Sequence, residues 1–488
     1  MGTPIPVNSA TLTAWWAAAA TGGRLRLAGE EAALAQGVVS DSRAVTPGAA
    51  FVALRGAFHD GHEYVDAALE AGAALLVLEA GHQDVRAPVD VVEVGDTLLA
   101  WGDLARAHLR RWRRSRPDAR SFAITGSAGK TTTKELCAAL LRPLGGCHAA
   151  AGNLNNRVGV PAVAFGVGAD HRFAVFEMGM SLRGEIAKLA DLVEPDLAIL
   201  TNAGVAHAEG VGGTRSDVAR EKGDLFAALS PHAVAVVSAD DAAAWAQLAR
   251  TRAGRAVTFG LSRGADYRLV DRHPAGVDGS DVRVVRRRDA SELCVRLPLV
   301  GEAAAIDFCA ALAAVESVTS RLDEPVVTEA LRTHVRRPAG RMQVRRLVNG
   351  TIVLDDTYNA NPQSFRAALQ TLAEIAGGRP AVVIVGEMRE LGAIAATEHA
   401  SLGRLLGQAG ARLAVSCGGL ADLVVRTAEE AGLASALGAD AAEAAKLAET
   451  LVNAGDVVLV KASRGVGAER VVEALVRAGG GEVPPGSP

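Results

Sequence analysis

The stretch ITGSAGKTTTKE, from Ile124 to Glu135, decides how the rest of the chain is interpreted. Apolar residues before it predict a strand and the residues after it predict a helix, which places Gly126 and Gly129 in the connecting loop. Inward-facing backbone amides of such a loop bind phosphate oxygens, and the positive end of the helix faces the same anion. Only two residues separate the glycines, where the usual phosphate loop has four. The strand, loop and helix together argue against a chance glycine-rich turn.

The expected ligand of this loop is ATP or another nucleoside triphosphate. Lys130 is placed to reach the terminal phosphates, and the hydroxyl of Thr131 to bind Mg2+. The residues predicted to bind nucleotide here are Gly126, Ser127, Ala128, Gly129, Lys130, Thr131 and Thr132.

Apolar runs of strand length alternate with helical segments on both sides of the loop, as in FAVFEMG (173–179) and AVVIVGE (381–387). This alternation predicts parallel sheets covered by helices on both faces. A chain of 488 residues has room for about three domains of ~150 residues. Two segments containing proline, RRWRRSRPDAR (110–120) and VRRPAGRMQV (335–344), are typical of domain linkers. We therefore expect a three-domain α/β fold: a small module at 1–117, a phosphate-loop domain at 118–336, a Rossmann-like domain at 337–478 and a disordered tail at 479–488.

Composition narrows the classes of partner and compartment. The net charge is -4, from 51 basic and 55 acidic residues, so there is no general electrostatic reason to bind nucleic acid or an anionic membrane. The basic run at 110–120 is interpreted as a solvated helix end. Five widely spaced cysteines without a CxxC pair argue against a disulfide framework. With no signal-peptide pattern and no long apolar stretch, we expect a soluble cytoplasmic protein without a membrane span.

Two further features surround the predicted phosphate site. The segment GNLNNRVGVP (152–161) contains Asn155 and Asn156, and the residues alone leave open whether it is an Asx-rich turn or a loop that orients an anion or a metal shell. Glu177 and His207 each follow a strand of the same domain. Because residues at the carboxyl ends of parallel strands share one crevice, both are candidate metal ligands, although imidazole is a less usual ligand for Mg2+.

Taken together, these motifs resemble the Mur ligase family over nearly the whole chain. The resemblance includes SDSRAVTPGAAFVALRG (40–56), DGHEYVDAALEAGA (60–73), EMGMSLRGEI (177–186), TNAGVAHAEG (201–210), REKGDLF (220–226), PAGRMQV (338–344), VGEMRELG (385–392) and VLVKASRG (458–465). The segments GNLNNRVGVP and LDDTYNANP (354–362) are most similar to the dipeptide-adding member. A DNPR-like motif, typical of the ligase that adds a single amino acid one step earlier, is not found in the sequence.

The resemblance implies ATP-driven amide synthesis in the cytoplasmic phase of peptidoglycan assembly. The expected substrates are UDP-N-acetylmuramoyl-tripeptide and D-alanyl-D-alanine, joined through an acyl phosphate by a monomer that uses ATP and two Mg2+ ions. Alternatives are another ligase of this type, such as an amino-acid-adding ligase or a folylpolyglutamate synthetase, or a nucleotide-binding protein that has lost the chemistry.

The resemblance also implies roles for individual residues. Lys130, Lys222, His207 and Arg341 match catalytic positions, and the metal set is Thr131, Glu177, His207 and Lys222, the last as a carbamate formed with CO2. Arg341 matches an arginine that moves toward the ATP phosphates when the last domain closes. Nucleotide contacts are further implied for Asn155, Asn156 and Asp356. Nucleotide and dipeptide contacts are implied for Tyr358, Asn359 and Asn361, and uridine-nucleotide contacts for Ser42, Arg43, Asp60, Gly61 and His62.

Three open points remain within this resemblance. A turn is the alternative for the asparagines of the last domain, and a salt bridge within its loop is the alternative for Arg43. The family pattern G-x-H-N-x-x-N, where His and Asn approach the adenine, is replaced by GEAAAID (301–307), with Ala303, Ala304 and Asp307 at the three positions. We expect activity to survive this change with altered packing around the adenine.

Overall fold

The structure, a computed structural model, describes residues 8–29, 31–56, 59–81, 88–150, 152–205 and 208–481. Its α/β architecture is built on three main sheets, which confirms the predicted fold class. Within the described part of the chain, no helix is both long and apolar enough to span a membrane. His207 and the tail beyond residue 481 lie outside the described residues.

The first sheet has five strands in the order β2-β7-β6-β5-β4, beside a short antiparallel pair of β1 and β3. The strands are β1 (Thr11–Thr13), β2 (Arg24–Arg26), β3 (Leu34–Gln36), β4 (Val38–Val39), β5 (Ala50–Val52), β6 (Leu75–Glu79) and β7 (Asp90–Val94), and the helices are α1 (Ala14–Thr21), α2 (Val65–Glu70) and α3 (Thr97–Ser115). The basic run at the end of α3 does more than meet solvent: Arg113 donates to the carbonyls of Val193 (2.6 Å) and Glu194 (3.0 Å). These bonds fix α3 to the middle domain.

The middle domain is organised around a nine-stranded sheet in the order β16-β15-β14-β13-β12-β11-β8-β10-β9. Its strands are β8 (Arg120–Thr125), β9 (Gly146–Ala149), β10 (His171–Glu177), β11 (Leu197–Leu200), β12 (Val234–Ser238), β13 (Arg255–Gly260), β14 (Tyr267–Pro274), β15 (Ser280–Arg286) and β16 (Ser291–Leu297). Its helices are α4 (Lys130–Leu141), α5 (Gly159–Phe165), α6 (Glu185–Val193), α7 (Ala208–Val211), α8 (Arg215–Ala227), α9 (Ala242–Trp245), α10 (Glu302–Val318) and α11 (Glu324–His334).

The expectation of parallel strands holds for β8 to β13 but not for the far edge of this sheet. There β14, β15 and β16 form an antiparallel extension. Residues along β15 and β16 alternate between buried and more exposed positions. This pattern is typical of an antiparallel sheet with one face on the core and the other toward solvent.

The last domain has a six-stranded sheet in the order β17-β18-β22-β19-β20-β21, with only the edge strand β17 antiparallel. The strands are β17 (Gln343–Arg346), β18 (Ile352–Asp356), β19 (Ala381–Val385), β20 (Ala411–Cys417), β21 (Ala434–Gly438) and β22 (Val457–Lys461), and the helices are α12 (Pro362–Ala376), α13 (Ala395–Gln408), α14 (Ala421–Glu430), α15 (Ala441–Leu451) and α16 (Glu469–Ala478). Residues 479–481 continue the chain past α16, where the Gly481 amide donates to the Val476 carbonyl at 2.9 Å.

Sheet order positions the candidate site. The strand β8 lies between β10 and β11, and all three are parallel. Their carboxyl ends therefore bring the phosphate loop, Glu177 and the residues after Leu200 to one edge, where ligands bind in open α/β sheets.

Candidate active site

The phosphate loop requires glycine at both of its predicted positions. Gly126 and Gly129 have φ angles of 157° and 82°. A Cβ at Gly126 would lie 1.8 Å from Thr201 Oγ1, and a Cβ at Gly129 would lie 2.3 Å from Asp307 Oδ1. Positive φ and close neighbours both disfavour any larger residue. The loop is thus packed tightly against Thr201, which follows β11, and against Asp307 of α10.

Asn202, which sequence reasoning missed, holds this loop in place. Its Oδ1 accepts hydrogen bonds from the amides of Ser127 (3.1 Å) and Ala128 (2.9 Å), and its Nδ2 donates to the Ala128 carbonyl at 3.1 Å. The side chain of Thr201 donates to the same carbonyl at 2.6 Å. In the sequence, the position of Thr201 and Asn202 directly after an apolar strand could have indicated a role for this polar pair. Only the sheet order shows that the pair contacts the phosphate loop.

Glu177 is the centre of the predicted metal site. Its Oε2 accepts a hydrogen bond from Thr131 Oγ1 at 2.7 Å, and its Oε1 accepts one from Asn155 Nδ2 at 2.9 Å. Burial acts to raise the pKa of this carboxyl, but the charges of Arg341, Lys130 and Lys134 outweigh burial and hold the pKa below its ordinary value. Glu177 is therefore an ionised carboxylate at neutral pH.

The donor set at Glu177 fits Mg2+. A carboxylate and a hydroxyl are hard oxygen donors, and Mg2+ is usually held by one or two carboxylates together with water and substrate phosphates. Among the described residues, no group of three or more His, Cys, Asp or Glu side chains forms a metal site. This sparse set suits a cation that shares its coordination with a nucleotide.

Two lysines face the same space. Lys130 Nζ donates to the Gly126 carbonyl at 2.7 Å, and burial lowers the pKa of this amine, as does the charge of Arg341. Lys222, on α8, is 1% exposed. Burial holds the pKa of Lys222 well below its ordinary value, and the neighbouring charge of Lys130 lowers it further, against the opposing effect of Glu221. Burial therefore favours the uncharged amine form of Lys222.

The last domain completes the site. Asn361 caps α12 and donates from Nδ2 to the Ser127 carbonyl of the phosphate loop at 3.3 Å. The guanidinium of Arg341 lies 4.0 Å above the ring of Tyr358, within cation–π distance. Its charge reaches Lys130 and Glu177 across the domain boundary.

Asp356 and Asn359 have partners within the last domain. Asp356 accepts a hydrogen bond from the Met342 amide at 3.0 Å and forms an ion pair with Lys461. Lys461 also donates to the Asn359 carbonyl at 3.0 Å. These contacts fasten the linker and the loop after β18 to β22.

One cavity of about 660 Å3 brings together most of the predicted residues. Its lining includes Ser127, Ala128, Gly129, Lys130, Thr132, Asn155, Asn156, Glu177, Lys222, Arg341, Asp356, Tyr358, Asn359 and Asn361. The substituted positions Ala303, Ala304 and Asp307 line it as well. Burial holds the pKa of Asp307 well above its ordinary value, although the hydroxyl of Thr133 opposes this. The Asn156 side chain also forms an Asx turn just before α5, since its Oδ1 accepts from the amides of Val158 (3.1 Å) and Gly159 (2.8 Å).

The five residues predicted in the first domain lie apart from this cavity, around two short 3-10 turns. Arg43 makes two hydrogen bonds to Asp41, at 2.9 and 2.7 Å, so the salt bridge within the loop is present. His62 Nδ1 lies 2.6 Å from Asp60 Oδ1, and its Nε2 accepts from the Glu79 amide at 2.9 Å. With both ring nitrogens engaged, His62 braces the turn that contains Gly61.

Comparison with known proteins supports this arrangement. Three family models match: "Mur ligase family, catalytic domain" at 35–109, "Mur ligase middle domain" at 124–315 and "Mur ligase, glutamate ligase domain" at 340–464. A UDP-N-acetylmuramoyl-tripeptide--D-alanyl-D-alanine ligase of Escherichia coli is 34% identical over 90% of this chain and 93% of its own. The protein of that name in Mycobacterium tuberculosis is 34% identical over 89% and 91%.

Solved structures agree with the sequence relatives. A crystal structure of MurF from Acinetobacter baumannii superposes with a TM-score of 0.84 at 27% identity, over 96% of this chain and all of that one. MurF from Thermotoga maritima in complex with ADP gives a TM-score of 0.77 at 27% identity, over 90% and 97%. The fold and the site define a nucleotide-dependent ligase built on a phosphate loop. The chain belongs to the Mur ligase family.

Proposed function

We propose that this chain is the ATP-dependent ligase that joins D-alanyl-D-alanine to UDP-N-acetylmuramoyl-tripeptide, acting as a cytoplasmic monomer in peptidoglycan precursor synthesis. The names of the relatives support this reaction. The observation that carries it is the bond from Asn361 to the Ser127 carbonyl, because it joins the phosphate loop to a second ligand-binding domain. A ligase needs such a junction, since its acceptor must reach the activated carboxyl.

The chemistry follows from the weakness of a carboxylate as an electrophile. Transfer of the γ-phosphoryl group of ATP to the terminal carboxylate of the tripeptide forms an acyl phosphate and releases ADP. The amine of the dipeptide then attacks the carbonyl carbon, a C–N bond forms, the amine loses a proton and inorganic phosphate leaves. Positioning and charge stabilisation supply most of the catalysis in phosphoryl transfer.

The residues of this site match those needs. Lys130 and the loop amides would stabilise charge on the transferred phosphoryl group, and Arg341 would add a second cation from the last domain. Thr131 and Glu177 would hold Mg2+, which when bound offsets the charge of the phosphate oxygens. His207, outside the described residues, remains a predicted ligand, as does a second Mg2+.

Carbamoylation of Lys222 forms part of the proposal. A carbamate forms when an uncharged amine attacks CO2, makes an N–C bond and loses a proton. Burial favours the uncharged form of Lys222, and the product would be an anionic oxygen ligand beside Lys130. The modification would thus supply a further oxygen ligand for metal.

Substrate recognition is divided among the domains. Ser42, Arg43, Asp60, Gly61 and His62 would contact the uridine nucleotide, and His62 also braces the turn that contains Gly61. Tyr358 and Asn359, which line the cavity, would contact the incoming dipeptide. Ala303, Ala304 and Asp307 would leave a less polar surface for the adenine than the histidine and asparagines of the family pattern. If Asp307→Asn leaves the KM for ATP unchanged, the presence of Asp307 in place of the family's asparagine is unimportant for binding ATP. If the natural protein shows no ATP turnover, it is instead a non-catalytic relative of the ligases.

The deciding experiment is phosphate release from ATP by the purified protein. We expect release only when UDP-N-acetylmuramoyl-tripeptide and D-alanyl-D-alanine are both present, with the pentapeptide product confirmed by mass spectrometry. Release without either substrate, or with glutamate as acceptor, would contradict the proposal and favour the folylpolyglutamate-type alternative.

A further inference from the structure

Lys134 is a fully buried lysine on α4 whose surroundings connect it to the metal site. Its side chain is 0% exposed. The ammonium donates to the carbonyls of Ala150 at 2.7 Å and Gly152 at 2.8 Å, and lies 3.2 Å from Glu135 Oε1. Three acceptors satisfy the three donors of an ammonium group, which offsets the cost of burying the charge.

The segment that Lys134 binds is the asparagine-containing loop at 152–156. Within this loop, the Asn155 side chain donates to Glu177 Oε1 at 2.9 Å, and the Asn155 carbonyl accepts from the Gly179 amide at 2.8 Å. Asn155 also fits closely over Gly179, where an added Cβ would lie 2.9 Å from Asn155 Cγ. The position of the loop therefore sets the orientation of one carboxylate oxygen of Glu177.

The contacts close into a ring. Thr131, which donates to the other oxygen of Glu177, precedes Lys134 by three residues on α4, so the two side chains lie on the same face of the helix. The ring thus runs from α4 through Thr131 to Glu177, on to Asn155, and back through Gly152 and Lys134 to α4.

From this ring, and resting on the proposed function, we propose that Lys134 is a positioning residue for the metal site. It holds the loop at 152–156 so that Asn155 and Thr131 fix the Glu177 carboxylate from both sides. Lys134 does not line the cavity that contains Glu177. Its effect passes through the loop, as outer-shell partners of metal ligands commonly act, with changes of 10- to 100-fold in metal affinity when they are removed.

The test compares Lys134→Met, Lys134→Arg and Asn155→Ala with the control Lys188→Met, which removes an exposed lysine on α6. The first measurement is the Mg2+ dependence of ADP binding by calorimetry, which needs no turnover. We expect roughly a 10-fold higher Mg2+ requirement for Lys134→Met and Asn155→Ala. Lys134→Arg should show a smaller rise, because a planar guanidinium replaces only part of the three-bond arrangement. Lys188→Met should match the natural protein.

Turnover supplies the second measurement. Lys134→Met should lower kcat and raise the Mg2+ requirement while leaving the KM for D-alanyl-D-alanine unchanged, and its effect should not add to that of Asn155→Ala. An unchanged Mg2+ requirement in Asn155→Ala, or in either Lys134 variant with natural melting behaviour, would overturn the inference. The Asn155→Ala variant still tests the link between the loop and the metal site if Lys134→Met fails to fold. Absence of ligase activity in the natural protein would instead count against the proposed function, since ADP binding is measured separately.

Discussion

The side-chain amide of Asn361 donates a hydrogen bond to the backbone carbonyl of Ser127 at 3.3 Å, across the boundary between the last and middle domains. The same side chain caps α12 through the Ser364 amide at 2.9 Å. A helix terminus of one domain is thereby joined to the phosphate loop of another. The middle and last domains thus meet at the phosphate loop.

We predict that Asn361→Ala weakens both roles of this residue. Loss of the cap should lower the free energy of unfolding by about 1 kcal/mol, and loss of the contact with the loop should raise the KM for ATP. Asn361→Asp keeps a capping side chain but offers no amide donor to the carbonyl. If Asn361→Asp had both the natural KM for ATP and the natural stability, the hydrogen bond from Asn361 to Ser127 would not contribute to ATP binding.

Glu177→Gln should abolish most of the ligase activity. The substitution preserves size but removes the negative charge that Mg2+ requires, and it disturbs the bonds with Thr131 and Asn155. We expect kcat to fall by a factor of about 100 or more. Glu449→Gln, at an exposed position on α15, is the matched control and should leave kcat unchanged. Equal kcat values in the two variants would show that Glu177 is not a metal ligand.

Activity should depend on CO2 through Lys222. We expect activity to fall in CO2-depleted buffer and to return with added bicarbonate, because burial lowers the pKa of the Lys222 amine and so favours the form that reacts with CO2. A carbamate carbon signal should appear in 13C NMR with labelled bicarbonate and be missing in Lys222→Met. Full activity without CO2, together with no such signal, would contradict carbamoylation.

Alanine at Gly129 should prevent normal nucleotide binding. Its Cβ would lie 2.3 Å from Asp307 Oδ1, and the φ of 82° is strained for alanine. We expect lower stability and a large rise in the KM for ATP. Gly407→Ala, inside α13 with nothing within 4 Å of the new Cβ, should instead stabilise the protein by about 0.5–1 kcal/mol. Thermal melting and ATP titration should be measured for both variants. Equal melting temperatures and equal KM values for ATP in the two variants would contradict the prediction.

Acid should destabilise the middle domain through His148. Burial, with the nearby His171, lowers the pKa of His148 to about 4. The unfolded chain then binds a proton that the folded chain rejects, so the stabilisation is complete above the unfolded pKa of about 6.5 and is lost as pH falls toward 4. The loss amounts to up to roughly 3 kcal/mol. Urea unfolding between pH 4 and 7 should be less pH-dependent in His148→Gln, and an identical slope would assign the effect to other groups.

Local sequence determined the phosphate loop, many of the parallel strands of the middle and last domains, and the resemblance to the family. Gly126, Gly129, Lys130 and Thr131 lie within six consecutive residues, so their spacing alone indicates a phosphate site. Period and length of the apolar runs were likewise sufficient for strands such as β8 and β19, because burial on both faces needs only local hydrophobic residues. The antiparallel strands β14 to β16 were not anticipated, since their pairing depends on the exposure of one face.

Only the tertiary structure decided which distant residues meet. Asn202 holds the loop because β11 happens to lie beside β8, and Lys134 reaches Gly152 through a fold of the chain that no local pattern records. Likewise, a lysine at 222 is an ordinary surface residue by sequence, and it is burial beside Lys130 that lowers its pKa. The sequence determines the chemical groups and their local geometry, whereas their partners and their electrostatic surroundings arise from long-range packing.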